Sequence, residues 1–167
     1  MTVAGAEKIH GRRREKRGRN FSADYFVTIP AMIDSFLVPE RTVVTAKGDG
    51  RAVDVSSASN RVFLLTLHIT NIVEQESLDV SIFGSADGAA WSPKPVVAFP
   101  QKFYAGQHPL LLDLTQHPDT KFVRAHWEVN RWGRGTEIPM FEFNVSMKEV
   151  PLVILKEASA EAKTLTG

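Results

Sequence analysis

Apolar and polar residues alternate in short runs along most of this chain. "RVFLLTLHIT", residues 61–70, is the strongest run: Phe63, Leu65, Leu67 and Ile69 fall on one face, and Val62, Leu64, Thr66, His68 and Thr70 on the other. A period of two sends successive side chains to opposite sides of a strand. This run is apolar on both faces for half its length, which predicts a central strand. "LDVSIFG" (78–84) alternates Leu78, Val80 and Ile82 with Asp79 and Ser81. "KFVRAHWEV" (121–129) places Val123, Ala125, Trp127 and Val129 on one face and Phe122, Arg124, His126 and Glu128 on the other. "MFEFNVSM" (140–147) turns Phe141, Phe143, Val145 and Met147 inward and Glu142, Asn144 and Ser146 outward.

"RAVDVSS" (51–57), "VVAF" (96–99), "PLLLDL" (109–114) and "VPLVIL" (150–155) predict further short strands, the last closing the domain. Turn-forming clusters separate the runs: "KGDG" at 47–50, "SADG" at 85–88 and "TQHPDT" at 115–120. Seven or eight short strands with little helical periodicity and no fixed repeat predict an all-β fold, an antiparallel β-sandwich or jelly roll.

The chain ends depart from this pattern. Residues 1–20 hold almost no large apolar side chain and read as a basic flexible arm, disordered in isolation. Residues 21–40, "FSADYFVTIPAMIDSFLVPE", are apolar without clean alternation. They read as an extended strap or docking segment, in which Pro30 can open one helical turn with Met32, Ile33, Phe36 and Leu37 on one face. Phe21, Tyr25, Phe26 and Phe36 are its candidate contacts to a neighbouring subunit. The expected division is thus an arm (1–20), a docking segment (21–40), a sandwich (41–155) and a polar tail (156–167) that is frayed or forms one weak helical turn.

Charge sharpens the picture of the arm. Of 167 residues with a net charge of +1, the first twenty carry seven basic side chains against two acidic, a net of +5, which leaves the rest at −4. Such asymmetry points to an anionic partner, nucleic acid or another polyanion, met by Arg12, Arg13, Arg14, Lys16, Arg17 and Arg19. There is no Cys, which removes disulfides, Cys-based zinc sites and thiol chemistry. No apolar run approaches the ~20 residues of a membrane span, and the first ten residues have no signal-peptide core.

"FGSADGAAWSP" raises a separate question, because a lone Trp91 follows a sharp turn. Asp87 and Gly88 suit that turn, and Trp91 is expected to fold back over the open end of the core. Ser85, Asp87, Gly88 and Trp91, followed by the strand with Phe122, Val123 and Arg124, resemble the discoidin-type (F5/8 type C-like) and related carbohydrate-binding β-sandwiches. The resemblance spans roughly residues 62–130. It implies a sandwich, a largely architectural turn and Arg strand, and glycan binding by variable loops at one end. The flanking Cys residues of that family are absent, and its N-terminal Ala-Ser signature is missing too.

Catalytic signals are missing as well. His10, His68, His108, His117 and His126 have no short metal-ligand spacing. A site built from His68 and His126 requires them on neighbouring strands. Glu74 and Glu76 read as solubilising loop carboxylates. No nucleophile elbow, P-loop or dinucleotide fingerprint occurs, so no enzyme, cofactor or metal is expected. "WEVNRWGRG" offers the other candidate site: Trp127 points to the core, whereas Trp132 lies in a Gly-rich loop beside Arg131 and Arg134. There it either folds back onto the sandwich or stacks on a sugar, a base or a partner protein. The function expected is a non-catalytic, self-associating subunit of a shell, coat or filament, a homo-oligomer. The alternatives are a carbohydrate-binding module with Trp91 and Trp132 in its site, or nucleic-acid packaging through the arm.

Overall fold

The computed structural model describes residues 31–73, 76–131 and 138–165. Along them run β1 (Asp34–Val44), β2 (Gly48–Asp49), β3 (Val53–Asp54), β4 (Val62–Ile72), β5 (Glu76–Ser85), β6 (Val97–Ala98), β7 (Gly106–Asp113), β8 (Phe122–Arg131), β9 (Phe141–Glu149) and α1 (Leu152–Leu165). One sheet has the order β1-β9-β4-β7. The other has β2-β8-β5-β6, with β3 also on β8, and the pairs are antiparallel.

If β2 and β3 are counted as one interrupted strand, the pairing is nested. The first strand pairs with the last, β2 and β3 with β8, β4 with β7, and β5 with β6. This is the jelly-roll order, in which a folded hairpin wraps on itself and two sheets close over one core.

The predicted alternation builds that core. Phe63, Leu65, Leu67, Leu112, Phe143, Val145 and Met147 face inward from the first sheet, and Leu78, Val80, Ile82, Val123, Ala125 and Trp127 from the second. Trp127 meets Phe143 edge-on with ring centroids 5.7 Å apart, and its indole N–H donates to the Ala46 carbonyl at 3.1 Å. A Cβ on Gly48 would lie 2.7 Å from the Trp127 ring, so only glycine lets β2 pass so close. A Cβ on Gly50 would overlap the Leu37 carbonyl oxygen.

The chain ends differ from the sequence expectation. Residues from Asp34 onward form β1, an edge strand of the first sheet, not a helical turn. Its missing alternation has a physical cause. The register shifts between Phe36 and Val38 and again between Val38 and Thr42, Arg41 takes a φ of 58°, and the neighbours Leu37 and Val38 are both buried. Bulges of this kind break a period of two. At the other end, "VPLVIL" is not a strand. After Pro151 the chain turns into α1, which takes in most of the expected tail. Proline is favoured at helix starts, and the Ala, Glu and Lys residues that follow are strong helix formers.

A buried carboxylate ties these ends to the sandwich. Glu149 accepts the N–H groups of Ile33 (3.2 Å), Ser59 (2.6 Å) and Asn60 (3.1 Å), while its own N–H donates to the Ile33 carbonyl at 2.8 Å. Arg61 does the same for the 114–120 turn. At a φ of 61° its guanidinium donates to the carbonyls of Leu114, His117 and Thr120. We expect Glu149→Gln, which turns an acceptor into a donor facing N–H groups, to lower stability by about 2–3 kcal/mol. Urea unfolding checks this through a lower midpoint at unchanged slope.

His108 supplies a pH dependence. It shares the inner face with Leu110 and Leu112, opposite Leu67, and its Nε2 is buried without a partner. Burial, then the Lys102 charge, hold its imidazole below the ordinary 6.5. The unfolded chain therefore takes up this proton first as pH falls. The neutral histidine's contribution is complete above about 6.5 and is lost as pH drops from there toward the lowered folded value. Just below pH 6.5, His108→Gln is expected to flatten the fall of the unfolding midpoint with acidification, as measured by thermal or urea melts.

Candidate functional site

The outward positions of the second sheet carry a connected cluster of charged, polar and aromatic groups. On β8, Val123, Ala125 and Trp127 take the core face, so Arg124, His126 and Glu128 must stand on the outer one. On β5 the same alternation turns out Asp79, Ser81 and Phe83, with Arg124 opposite Phe83 and His126 opposite Ser81. Across β8, Asp49 of β2 lies opposite His126.

These positions form a connected ladder. The Asp49 carboxylate stands 2.9 Å from His126 Nδ1 and 3.4 Å from an Arg124 guanidinium nitrogen. His126 Nε2 lies 3.6 Å from Glu128, and the imidazole meets the Phe83 ring edge-on at 5.9 Å. Farther along the face, Asp79 accepts hydrogen bonds from Gln101 and Asn130, each at 2.9 Å.

Trp91 completes the cluster, and its place differs from the expected one. It does not join the core. The turn after β5 instead folds it onto the outer face. Ser85 pairs with Trp91, and the Ser92 N–H donates to the Gly84 carbonyl at 2.9 Å. The Arg124 guanidinium carbon then lies 4.3 Å from the centre of the Trp91 ring, a cation–π contact.

The turn holds Trp91 there by spending its own side chains. The Ser85 hydroxyl accepts the Gly88 N–H at 2.9 Å. Asp87 accepts the N–H groups of Ala89 and Ala90, both at 2.9 Å, and those bonds, with Ser85, hold its carboxyl below the usual range. Gly88 supplies the positive φ of 79° and lies against the Phe122 ring.

Trp91 therefore stands as a wall between two shallow clefts. One, of about 220 Å³, is lined by Asp49, Phe83, Trp91, Ser92, Arg124 and His126. The other, of about 290 Å³, includes Ser85, Ser92, Asp119 and Thr120.

The other candidates fall elsewhere. Trp132 and Arg134 lie outside the described residues, as do Arg12, Arg13, Arg14, Lys16, Arg17, Arg19, Phe21, Tyr25 and Phe26. Arg131 ends β8 opposite Glu76, with its Nε and one terminal nitrogen buried and unpartnered. Phe36 is a half-buried residue of β1, its carbonyl accepting from Arg51 Nε at 2.9 Å. His68 and His126 do not build one site, because their core-facing neighbours Leu67, Ile69, Ala125 and Trp127 leave them on the outer faces of different sheets. Glu76 is no solubilising loop residue: it opens β5, is buried, and accepts the Met140 N–H at 2.8 Å.

Sequence reasoning missed Asp49, Phe83 and His126 as partners of Trp91 and Arg124. The outward face of β8 was legible, but its pairing with β2 across 77 positions was not. Among the described residues no group of three or more His, Cys, Asp or Glu side chains is placed to hold a metal, and no helix is long and apolar enough to cross a membrane. The chain matches no protein-family model and no curated protein.

Proposed function

We propose that the protein is a non-catalytic structural subunit that associates with copies of itself. The observation that carries this reading is the first turn of α1. Leu152, Val153, Ile154 and Leu155 are consecutive, and the first three are 50%, 59% and 51% exposed. Successive helix residues step about 100° round the axis, so four in a row turn apolar groups to every side. A helix segment that is apolar all round is built to be surrounded by protein.

Burying the exposed halves of three such side chains yields about 2–4 kcal/mol. That is short of stable association, which must also offset lost translational freedom, so further contact is needed. Leu64 and Leu111, cross-strand partners on the outer face of the first sheet, supply more exposed apolar surface. The nested jelly-roll order fits a packing unit, although a fold alone does not decide function.

Light scattering on the full chain tests the reading. We expect a mass several times that of the monomer, and Leu152→Lys with Ile154→Glu is expected to return it to the monomer with unchanged circular dichroism. A full-length chain that stays monomeric at high concentration sinks the proposal.

A second reading attaches to the arm, and the charge division favours it: +5 in the first twenty residues against −4 in the rest. Cations strung along a chain with few apolar residues neutralise phosphates and release counterions. Affinity for single- or double-stranded nucleic acid is expected to fall with salt at a log–log slope of about −4 to −6. It is expected to vanish when Arg12, Arg13, Arg14, Lys16, Arg17 and Arg19 are replaced by Gln. Binding that ignores both salt and these substitutions removes the reading.

A further inference from the structure

α1 has no packed face of its own. Across residues 152–164 every side chain is exposed except Leu155, which is half-buried. A helix of 14 residues is marginal in water by itself, and in proteins most of the stability of such a helix comes from packing an apolar face. One face of α1 carries a groove of about 390 Å³ lined by Leu152, Leu155, Lys156, Ser159, Ala160 and Lys163. These positions recur at three- and four-residue steps, as one side of a helix does. The two charged residues among them are both lysines.

The outer face of the first sheet is uncovered as well. Strand register lines up Asp34, Lys148, Leu64 and Leu111 in one row across all four strands, and Phe36, Ser146, Thr66 and Pro109 in the next. The second row carries no charge, and Leu64 and Leu111 are largely open to solvent. Around this apolar patch Asp34, Asp113 and Glu142 stand at outward positions against Lys148, while Glu40 and Arg41 of the β1 bulge balance one another.

We propose, building on the self-association reading, that α1 of one copy docks on the outer face of the first sheet of a second copy. The two surfaces are complementary: an apolar groove with lysines meets an apolar patch with an acidic rim. Each is bare in the same molecule although the chain leads directly from one to the other. The Val150 N–H donates to the Val62 carbonyl at 2.9 Å, and only Pro151 then precedes α1. The helix therefore does not cover its own sheet, and a second copy supplies the missing surface. Pairing like with like is disfavoured, since it sets lysines against lysines or one acidic rim against another. A contact between unlike surfaces is heterologous, so repetition from copy to copy closes into a ring or runs on as a filament.

The test exploits the absence of Cys from the chain, because introduced thiols then report one contact at a time. Ser159→Cys marks the helix groove and Thr66→Cys the uncharged row of the sheet; each replaces a hydroxyl by a thiol of similar size. The full-length variants are prepared separately and also co-expressed, weighed by light scattering, and treated with a short bis-maleimide. A covalent dimer joining the two variants is expected in the co-expressed sample, at least tenfold above any dimer formed by either variant alone. Replacing Thr66→Cys by Glu128→Cys, on the outer face of the second sheet, is expected to abolish the link.

Equal linkage within a single variant, helix to helix or sheet to sheet, overturns the head-to-tail contact. So does linkage inside one chain of the double variant, which places α1 on its own sheet. A multimer that gives no link between the variants also overturns it, and leaves self-association standing through some other surface. A monomeric full-length chain removes the self-association reading itself, and this contact with it.

Discussion

Much of this architecture turns on one buried carboxylate. The buried carboxyl of Glu149 is tolerable only if hydrogen-bond donors replace the water it has lost, and the donors it finds are three backbone N–H groups from two distant stretches of chain. That requirement fixes Ile33, where the chain enters β1, and the Ser59–Asn60 loop, where it enters β4, against the end of β9. The first and last strands of the nest must therefore meet, and residues 33 and 149 exchange backbone and side-chain bonds there. The polypeptide that precedes β1 and the helix that follows β9 consequently join the sandwich side by side. The start of β1 and the first turn of α1 are thus attached at the same corner of the fold.

A second constraint separates the two faces of the other sheet. Once Val123, Ala125 and Trp127 are committed to the core, the period of two leaves Arg124, His126 and Glu128 no place but the outside. The ring of Trp91 covers part of Arg124 and keeps the guanidinium from extending freely into water, while Asp49 balances its charge. The turn between Ser85 and Trp91 makes this possible, since it satisfies its own N–H groups internally and leaves the indole as its outward product.

Sequence patterning reveals the strands that pack on one face and obscures everything set by long-range pairing. The alternation of β4, β5, β8 and β9 gave the all-β sandwich and the inward set, Trp127 included, because burial of one sheet face imposes a period of two directly. β1 was illegible because its bulges place Leu37 and Val38 together in the core. The run Leu152–Leu155 imitated a buried strand, since a short continuous apolar run fits either element. The helix-forming residues after it and the proline before it were the better guides. Glu76 and Glu149 carry no local mark of burial, because the N–H groups that compensate them come from residues 64 to 116 positions away. The cleft was half visible. Trp91 and Arg124 stand out in the sequence, but that they touch, and that Asp49 and His126 join them, follows only from the pairing of β2, β8 and β5.

The corner where β1 begins and β9 ends and the cleft beside Trp91 belong to different sheets, and this bears on how they would work together. A shallow, solvent-open cleft would gain little from one small ligand, because ordering the ligand offsets much of each contact. Repetition changes that balance. Were copies joined through α1 and the outer face of the first sheet, the outer face of the second sheet would stay uncovered, and such an assembly would display many identical clefts at fixed spacing. Linked sites convert later binding events into intramolecular ones, and avidity can exceed the single-site affinity by a factor of about 10²–10⁴ when the ligand spans them. In such an arrangement weak recognition by one subunit would suffice: each contact would remain reversible, and firm attachment would form only where a ligand is itself presented in an array.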